Sequence, residues 1–375
     1  MRSSVAMETA NRGMSLGIRF GVWAAGVAAF VCCLVANPAV AATEGQGLGA
    51  VKSTTGKAGA TVKSRRKARV VVERPSLGQK QGLRGTDDPL ELKSSVALVL
   101  DQDTDEVLVS KNAEAVLPIA SITKLMTAIV VLDAEQPMDE PLKVAKVSLD
   151  TPRNNHSRLR VGTELSRGEL MHLALMSSEN RAAYAIGAAY PGGLPSMVEA
   201  MNRKARELGM NDSHFVEPTG LSADNRSSAH DLALLVKAAY QNPVLRQYST
   251  ATDASVPVGR RLVQFRNTNS LVRSPMWDIG VQKTGYISEA GRCVVMQAQL
   301  AGRKLIMVLL DSAGRYSRVG DAERIRRWLD AHPAIPVNPA APAPLPPAAS
   351  LSPKLDSAPV TERDGDLGRS GSDTF

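Results

Sequence analysis

Histidine and cysteine are scarce in this sequence, and two common hydrolase signatures are missing from it. Its five histidines, His156, His172, His214, His230 and His332, are scattered, with no H-E-x-x-H and no paired-ligand spacing. Metal hydrolysis has no ligand set to rest on, and no metal or other cofactor is implied. No G-x-S-x-G turn is present, which removes the nucleophile elbow of a Ser-His-Asp hydrolase. Thr55-Gly56-Lys57-Ala58 is no phosphate loop, because the upstream glycine is missing and Ala replaces Ser or Thr. Of three cysteines, Cys32 and Cys33 lie in an apolar leader, so Cys293 stands alone in the rest of the chain. A single thiol forms no internal disulfide, and stability must come from core packing. Within Arg292-Cys293-Val294-Val295-Met296, a strand-like run, Cys293 fits a small buried hydrophobe.

Long apolar runs are scarce too. The run from Phe20 to Ala36 is slightly short for a membrane span. Arg2, Arg12 and Arg19 precede it, and Ala39-Val40-Ala41-Ala42, an A-x-A-like cleavage site, follows. Residues 1–41 therefore read as a secretory signal peptide, and the chain as an exported, periplasmic protein. Residues 42–87 carry Lys63-Ser64-Arg65-Arg66-Lys67-Ala68-Arg69 and no apolar period, which reads as a disordered basic arm. Such an arm, once exported, suits weak contact with anionic wall polymer or membrane and not nucleic acid. The net charge of +8 owes much to it and says little about the folded part. Residues 333–375 begin in Pro and Ala and end polar, a low-complexity tail. One domain, 88–332, remains.

Its pattern is strand, helices, strand. Ser95–Leu100 and Glu106–Val109 flank Asp101-Gln102-Asp103-Thr104-Asp105, a hairpin signal. Helical periods occupy Ser121–Asp133, Arg167–Met176, Arg181–Ala189, Leu194–Leu208 and His230–Tyr240. Strand patterns return at Ile279–Thr284, Cys293–Leu300 and Lys304–Asp311, and Arg318–Ala331 closes as a helix. The expected fold is α+β: an antiparallel sheet, its strands joined by short turns, flanked by helices, with a helical subdomain inserted between its halves.

Within this frame Ser121 opens a helix and Lys124 follows one turn on, on the same face. A serine hydroxyl needs a base to become a nucleophile, and a lysine is such a base only when its pKa falls far below the aqueous value. Alone the pair proves little: Ser121 also fits a helix N-cap, and Ser64-Arg65-Arg66-Lys67 shows the same S-x-x-K spacing. Two further triplets follow in order, Ser178-Glu179-Asn180 and Lys283-Thr284-Gly285, the latter on a strand that looks innermost. The ordered set S-x-x-K, S-x-N, K-T-G, with helical and strand spacers between, is specific where each member is not.

These residues resemble those of the penicillin-recognising serine DD-peptidases over Leu92 to Asp330. Leu175–Ala183, Phe215–Ser222 and Phe265–Asn269 are similar, more narrowly, to D-alanyl-D-alanine endopeptidases of the penicillin-binding-protein-seven type. The resemblance implies Ser121 as nucleophile, Lys124 as its base and Ser178 as a proton relay assisted by Lys124 or Lys283. It implies that Asn180 holds substrate amide or orients Lys124, that Lys283 lowers the Lys124 pKa, and that Thr284 binds a substrate carboxylate. Gly285 is expected to let the strand lie close to substrate, and the backbone N–H groups of Ser121 and Tyr286 to form the oxyanion hole. The implied substrates are cross-linked peptidoglycan peptides, cut between D-Ala and diaminopimelate, with β-lactams as covalent inhibitors. Carboxypeptidases of the superfamily usually add a β-rich domain and an anchoring helix, which the Pro/Ala tail does not match. The alternatives are a D-alanyl-D-alanine carboxypeptidase, a class A β-lactamase using Glu207 in Glu207-Leu208-Gly209-Met210-Asn211, and a non-catalytic wall-binding protein.

Overall fold

A computed structural model describes residues 74–146 and 157–332. The signal peptide read at 1–41, the basic run at 63–69 and the tail at 333–375 lie outside the described residues.

The described part starts with a short helix α1 (Leu77–Lys80), opened by a capping box in which Ser76 and Gln79 bond each other's backbone. The hairpin β1 (Ser94–Asp101) and β2 (Val107–Lys111) follows, then β3 (Leu117–Pro118) and helix α2 (Thr123–Asp133). A helical region comes next: β4 (Pro141–Lys143) paired with β5 (Glu164–Ser166), then α3 (Arg167–Met176), α4 (Asn180–Ala188) and α5 (Gly193–Glu207). After β6 (Arg226–Ser227), α6 (Ala229–Gln241) and α7 (Pro243–Thr250) lead to a hairpin, β7 (Asp253–Val258) and β8 (Arg261–Arg266). Strands β9 (Asp278–Ile287), β10 (Gly291–Leu300) and β11 (Arg303–Ser312) and helix α8 (Ser317–Ala331) complete the domain.

The main sheet is antiparallel, in the order β2-β1-β11-β10-β9. First and last of the described strands meet near its centre, with Val96 opposite Leu310 and Leu98 opposite Val308. Alternation sends Val96, Leu98, Val295 and Val308 into the core beneath the helical region, and Ala97, Val99, Met296 and Met307 towards Ile325 and Leu329 of α8. The α+β expectation holds. Element bounds differ from the expected ones by a residue or two at most ends.

Three expectations change. The arm does not extend to residue 87: Leu77 and Leu83 pack on the core, and the Arg84 guanidinium bonds Asp311, so the folded domain begins before Asp88. Two leucines in a polar stretch are too few to show a period. The strand carrying Lys283 is not innermost; β9 is the sheet edge. It looks interior because its free edge is covered by the turn before α2 and by α7, which bury Val281 to Gly285. Residues 241–278, given no element by pattern, hold α7 and the β7–β8 hairpin. That hairpin has exposed polar positions and Pro257, so its apolar alternation is weak.

Candidate active site

Ser121 lies in a 3-10 turn, Ala120–Ile122, that feeds α2. Its hydroxyl caps no helix and instead accepts from Lys124 Nζ at 2.8 Å. The turn is shaped by Ala120, held at φ +48°, and pinned by the Thr123 hydroxyl donating to the Ala120 carbonyl at 2.8 Å. A non-glycine residue adopts this left-handed region only where its surroundings impose it.

Lys124 is 1% exposed, and its amine also donates to Asn180 Oδ1 at 2.8 Å and to the Thr219 carbonyl. All three partners are neutral. Burial brings its pKa down from 10.5 to about 7, against the opposing pull of the Glu217 and Glu179 charges. Near neutral pH a large share of this amine is therefore unprotonated, with a lone pair to accept the Ser121 proton. Lys283 is fully buried, and its Nζ donates to Ser178 Oγ at 2.8 Å and to the Thr284 carbonyl at 3.0 Å. Its pKa also lies well below the ordinary value, through burial first and then the charges of Lys124 and Arg318. For Lys124 burial is the leading cause, because the amine sits beneath the turn shielded from solvent, and the two lysine charges also repel each other, the repulsion showing on Lys283.

Ser178 stands at φ +60°, between α3 and α4, and its direct amine partner is Lys283. Asn180 begins α4 and reaches back to Lys124. The Thr284 hydroxyl bonds that of Thr268 at 2.6 Å. Tyr286 is 45% exposed, with the Arg292 guanidinium 4.4 Å from its ring centroid. Gly285 has a different closeness from the one expected. A Cβ there would stand 2.9 Å from the Ile119 carbonyl oxygen and 3.1 Å from Ser121 N, so the glycine lets β9 approach the nucleophile's own turn. Hydrogen bonds and close approaches bring Ser121, Lys124, Ser178, Asn180, Lys283, Thr284 and Gly285 together, and Tyr286 follows Gly285 on β9.

Several others were not singled out from sequence. Glu217 accepts from the Thr219 amide and hydroxyl and from the Gly220 amide, each at 2.6 Å, and from Asn225 Nδ2 at 2.9 Å. This carboxylate folds the loop that presents the Thr219 carbonyl to Lys124. Gly220, at φ +80°, is forced: a Cβ would lie 1.9 Å from the Ala120 carbonyl oxygen. Arg318 opens α8 and adds positive charge beside Lys283. The resemblance of Phe215–Ser222 and Phe265–Asn269 marks the stretches that hold Glu217, Gly220 and Thr268 without giving them roles; Arg318 carried no signal. Glu207, the deacylating residue of the β-lactamase alternative, pairs with Lys204 at 2.7 Å, and Lys204 also reaches Asp133 at the far end of α2. That is roughly 18 Å along the helix from Ser121, given 1.5 Å per residue. Among the described residues no cluster of His, Cys, Asp and Glu could hold a metal ion.

A serine and a desolvated lysine on one turn, with a second buried lysine and serine facing them across a sheet edge, define a penicillin-recognising serine peptidase. Comparison with known proteins makes the class specific. A family model described as D-alanyl-D-alanine carboxypeptidase matches residues 84–314. The chain is 48% identical over 242 residues to a D-alanyl-D-alanine endopeptidase of Pseudomonas aeruginosa, covering 64% of this chain and 78% of that one. It is 43% identical over 270 residues to one of Escherichia coli, covering 72% and 84%. Among solved structures, a penicillin-binding protein of Listeria monocytogenes in its ampicillin-bound form matches with TM-score 0.55 and 29% identity, over 64% of this chain and 98% of that one. A Streptomyces DD-transpeptidase matches with TM-score 0.60 and 26% identity, over 66% and 100%. The chain belongs to the D-alanyl-D-alanine carboxypeptidase family of serine-type DD-peptidases.

Proposed function

We propose that this peptidase is a peptidoglycan D-alanyl-D-alanine endopeptidase, cutting D-Ala–diaminopimelate cross-links through a serine acyl-enzyme. The observation that carries it is the Lys124 amine, buried, 2.8 Å from Ser121 Oγ and with its pKa near neutrality. Neutral Lys124 takes the Ser121 proton as the oxygen attacks the D-Ala carbonyl. The developing oxyanion is held by the Ser121 and Tyr286 amides, each such donor being worth about 10²–10³ in rate. Ser178, hydrogen-bonded by Lys283, passes a proton to the departing amine, and water then releases the acyl group. Thr284, with the Arg318 charge and the Lys283 amine behind it, receives the carboxylate beside that amine. Asn180 keeps the Lys124 amine aimed at Ser121.

The endopeptidase reading is favoured over the carboxypeptidase by the names of the Pseudomonas aeruginosa and Escherichia coli relatives. The β-lactamase alternative loses its support with Glu207 on the far side of α2. The leader at 1–41 supports export to the periplasm, where the substrate lies, and the basic run at 63–69 suits weak contact with anionic wall or membrane. β-Lactams should acylate Ser121 and leave slowly. Fluorescent penicillin tests the centre of this reading: the native protein becomes covalently labelled and Ser121→Ala does not. No labelling of the native protein would instead support a non-catalytic wall-binding protein, and rapid turnover of nitrocefin would support the β-lactamase. Mass analysis of digested muropeptides tests the bond, with dimers cleaved for the endopeptidase and only terminal D-Ala lost for the carboxypeptidase.

A further inference from the structure

At the end of the sheet beyond Tyr286 a cavity of about 150 Å³ opens between the C-terminal ends of β9 and β11 and the segment around α1. That is room for roughly five waters, or for a carboxylate with its α-carbon. Arg74, Arg84 and Arg292 line it. Its only acidic lining residue, Asp311, has a side chain 1% exposed and is taken up by Arg84 at 3.3 Å and by the Ser95 hydroxyl at 2.6 Å. The Arg84 Nε is buried without a hydrogen-bond partner. Arg292 lies opposite Tyr286 across the β9–β10 ladder and stacks on its ring, which joins the cavity to the catalytic edge. The charge presented to an entering ligand is therefore positive, on donors with the planar fork that suits carboxylates.

Chain direction says which part of the substrate reaches it. With the leaving-side carboxylate at Thr284 and the scissile carbonyl at the Tyr286 amide, the acyl-side peptide runs on past Ile287 towards Ser288, a lining residue of the cavity. At about 3.3 Å per residue, the residue preceding D-Ala comes abreast of Ile287 and Ser288. We infer that the cavity is an acyl-side subsite for the side-chain carboxylate of the diamino acid that precedes D-Ala in the stem peptide. The inference rests on the peptidase reading above and makes the segment from Arg74 to Arg84 part of substrate recognition.

The test is calorimetric binding to the full chain carrying Ser121→Ala, so that affinity is read without turnover. The probes are a stem tetrapeptide with a free diaminopimelate side-chain carboxylate and the same peptide with that group amidated. The acid form should bind about ten-fold tighter than the amide, and adding Arg74→Gln should cut the difference at least three-fold while leaving benzylpenicillin acylation of the Ser121-containing protein unchanged. Equal affinity for acid and amide overturns the subsite, as does an equal loss for both peptides on adding Arg74→Gln. So does inorganic phosphate binding as tightly as the acid peptide, which would mark a site for any free anion. A native protein that neither takes up penicillin nor cuts muropeptides refutes the peptidase reading instead, and the acid–amide difference is read independently of that result.

Discussion

Two places in this molecule bury a lysine beside the sheet, and they bury it in opposite company. Lys111, at the end of β2, is 4% exposed and bonds the Asp88 carboxylate at 2.7 Å. Burial pushes the Asp88 carboxyl up, yet the Lys111 hydrogen bond and charge, with the Leu92 and Leu90 amides, hold it below its usual range. Lys124 and Lys283 are as deeply buried, and their amines bond hydroxyls, an amide oxygen and carbonyl oxygens. A carboxylate neighbour favours the ammonium, whereas neutral acceptors in a desolvated site leave it uncompensated. Burial is common to both places; the choice of partner separates a structural cation from a base.

The sharpest break of this comparison is a pair of substitutions that remove the amine and keep the stem. Lys124→Met should slow penicillin acylation by about 10³ or more, with the fold retained, because the buried cation goes and no carboxylate is orphaned. Lys111→Met should leave acylation of the folded protein nearly unchanged and cost about 3 kcal/mol of stability, because Asp88 is left buried and unpaired. Stopped-flow acylation and thermal melts read the two effects. Next in size is Asn180→Asp, which converts the catalytic lysine to the structural kind. A carboxylate touching Nζ favours the ammonium, so the Lys124 pKa should rise and acylation at pH 7 fall about ten-fold, recovering at higher pH. The smallest expected effect is that of Glu179→Gln. The Glu179 charge raises the Lys124 pKa, so its loss should move the acid limb of acylation to lower pH by under ~1 unit. A limb displaced upward would show that the sign assigned to this carboxylate is wrong.

The contrast also explains what could be read from sequence. Motif order and spacing exposed Ser121, Lys124, Ser178, Asn180 and Lys283, because helical spacing and strand alternation are local properties. Helix α3 falls on its expected residues, Arg167–Met176, where Ser166 and Glu169 close a capping box at the start. Partner identity was not legible in the same way. Nothing local says that Lys124 meets Thr219, 95 residues away, or that Glu217 and Asn225 build the loop bearing that carbonyl. The same holds for β9, whose apolar run reads as interior although it is the sheet edge, and for α1, too short for a pattern and tied through the Leu77 amide to the Glu289 carbonyl, a residue far along the chain. Burial patterns announce themselves in sequence, whereas contacts between distant segments do not.

The central claim is that removal from water, without a carboxylate in contact, makes Lys124 a base near neutral pH. Its amine is protonated below about 7 and free above it, so acylation should be suppressed in acid and restored as pH rises. The most direct measurement is the second-order rate of acylation by benzylpenicillin from pH 5 to 10. The account predicts a single rise with half-maximum near pH 7 and a plateau beyond it. A rate that keeps climbing about ten-fold per pH unit up to the ordinary lysine range, about 10.4, would contradict it.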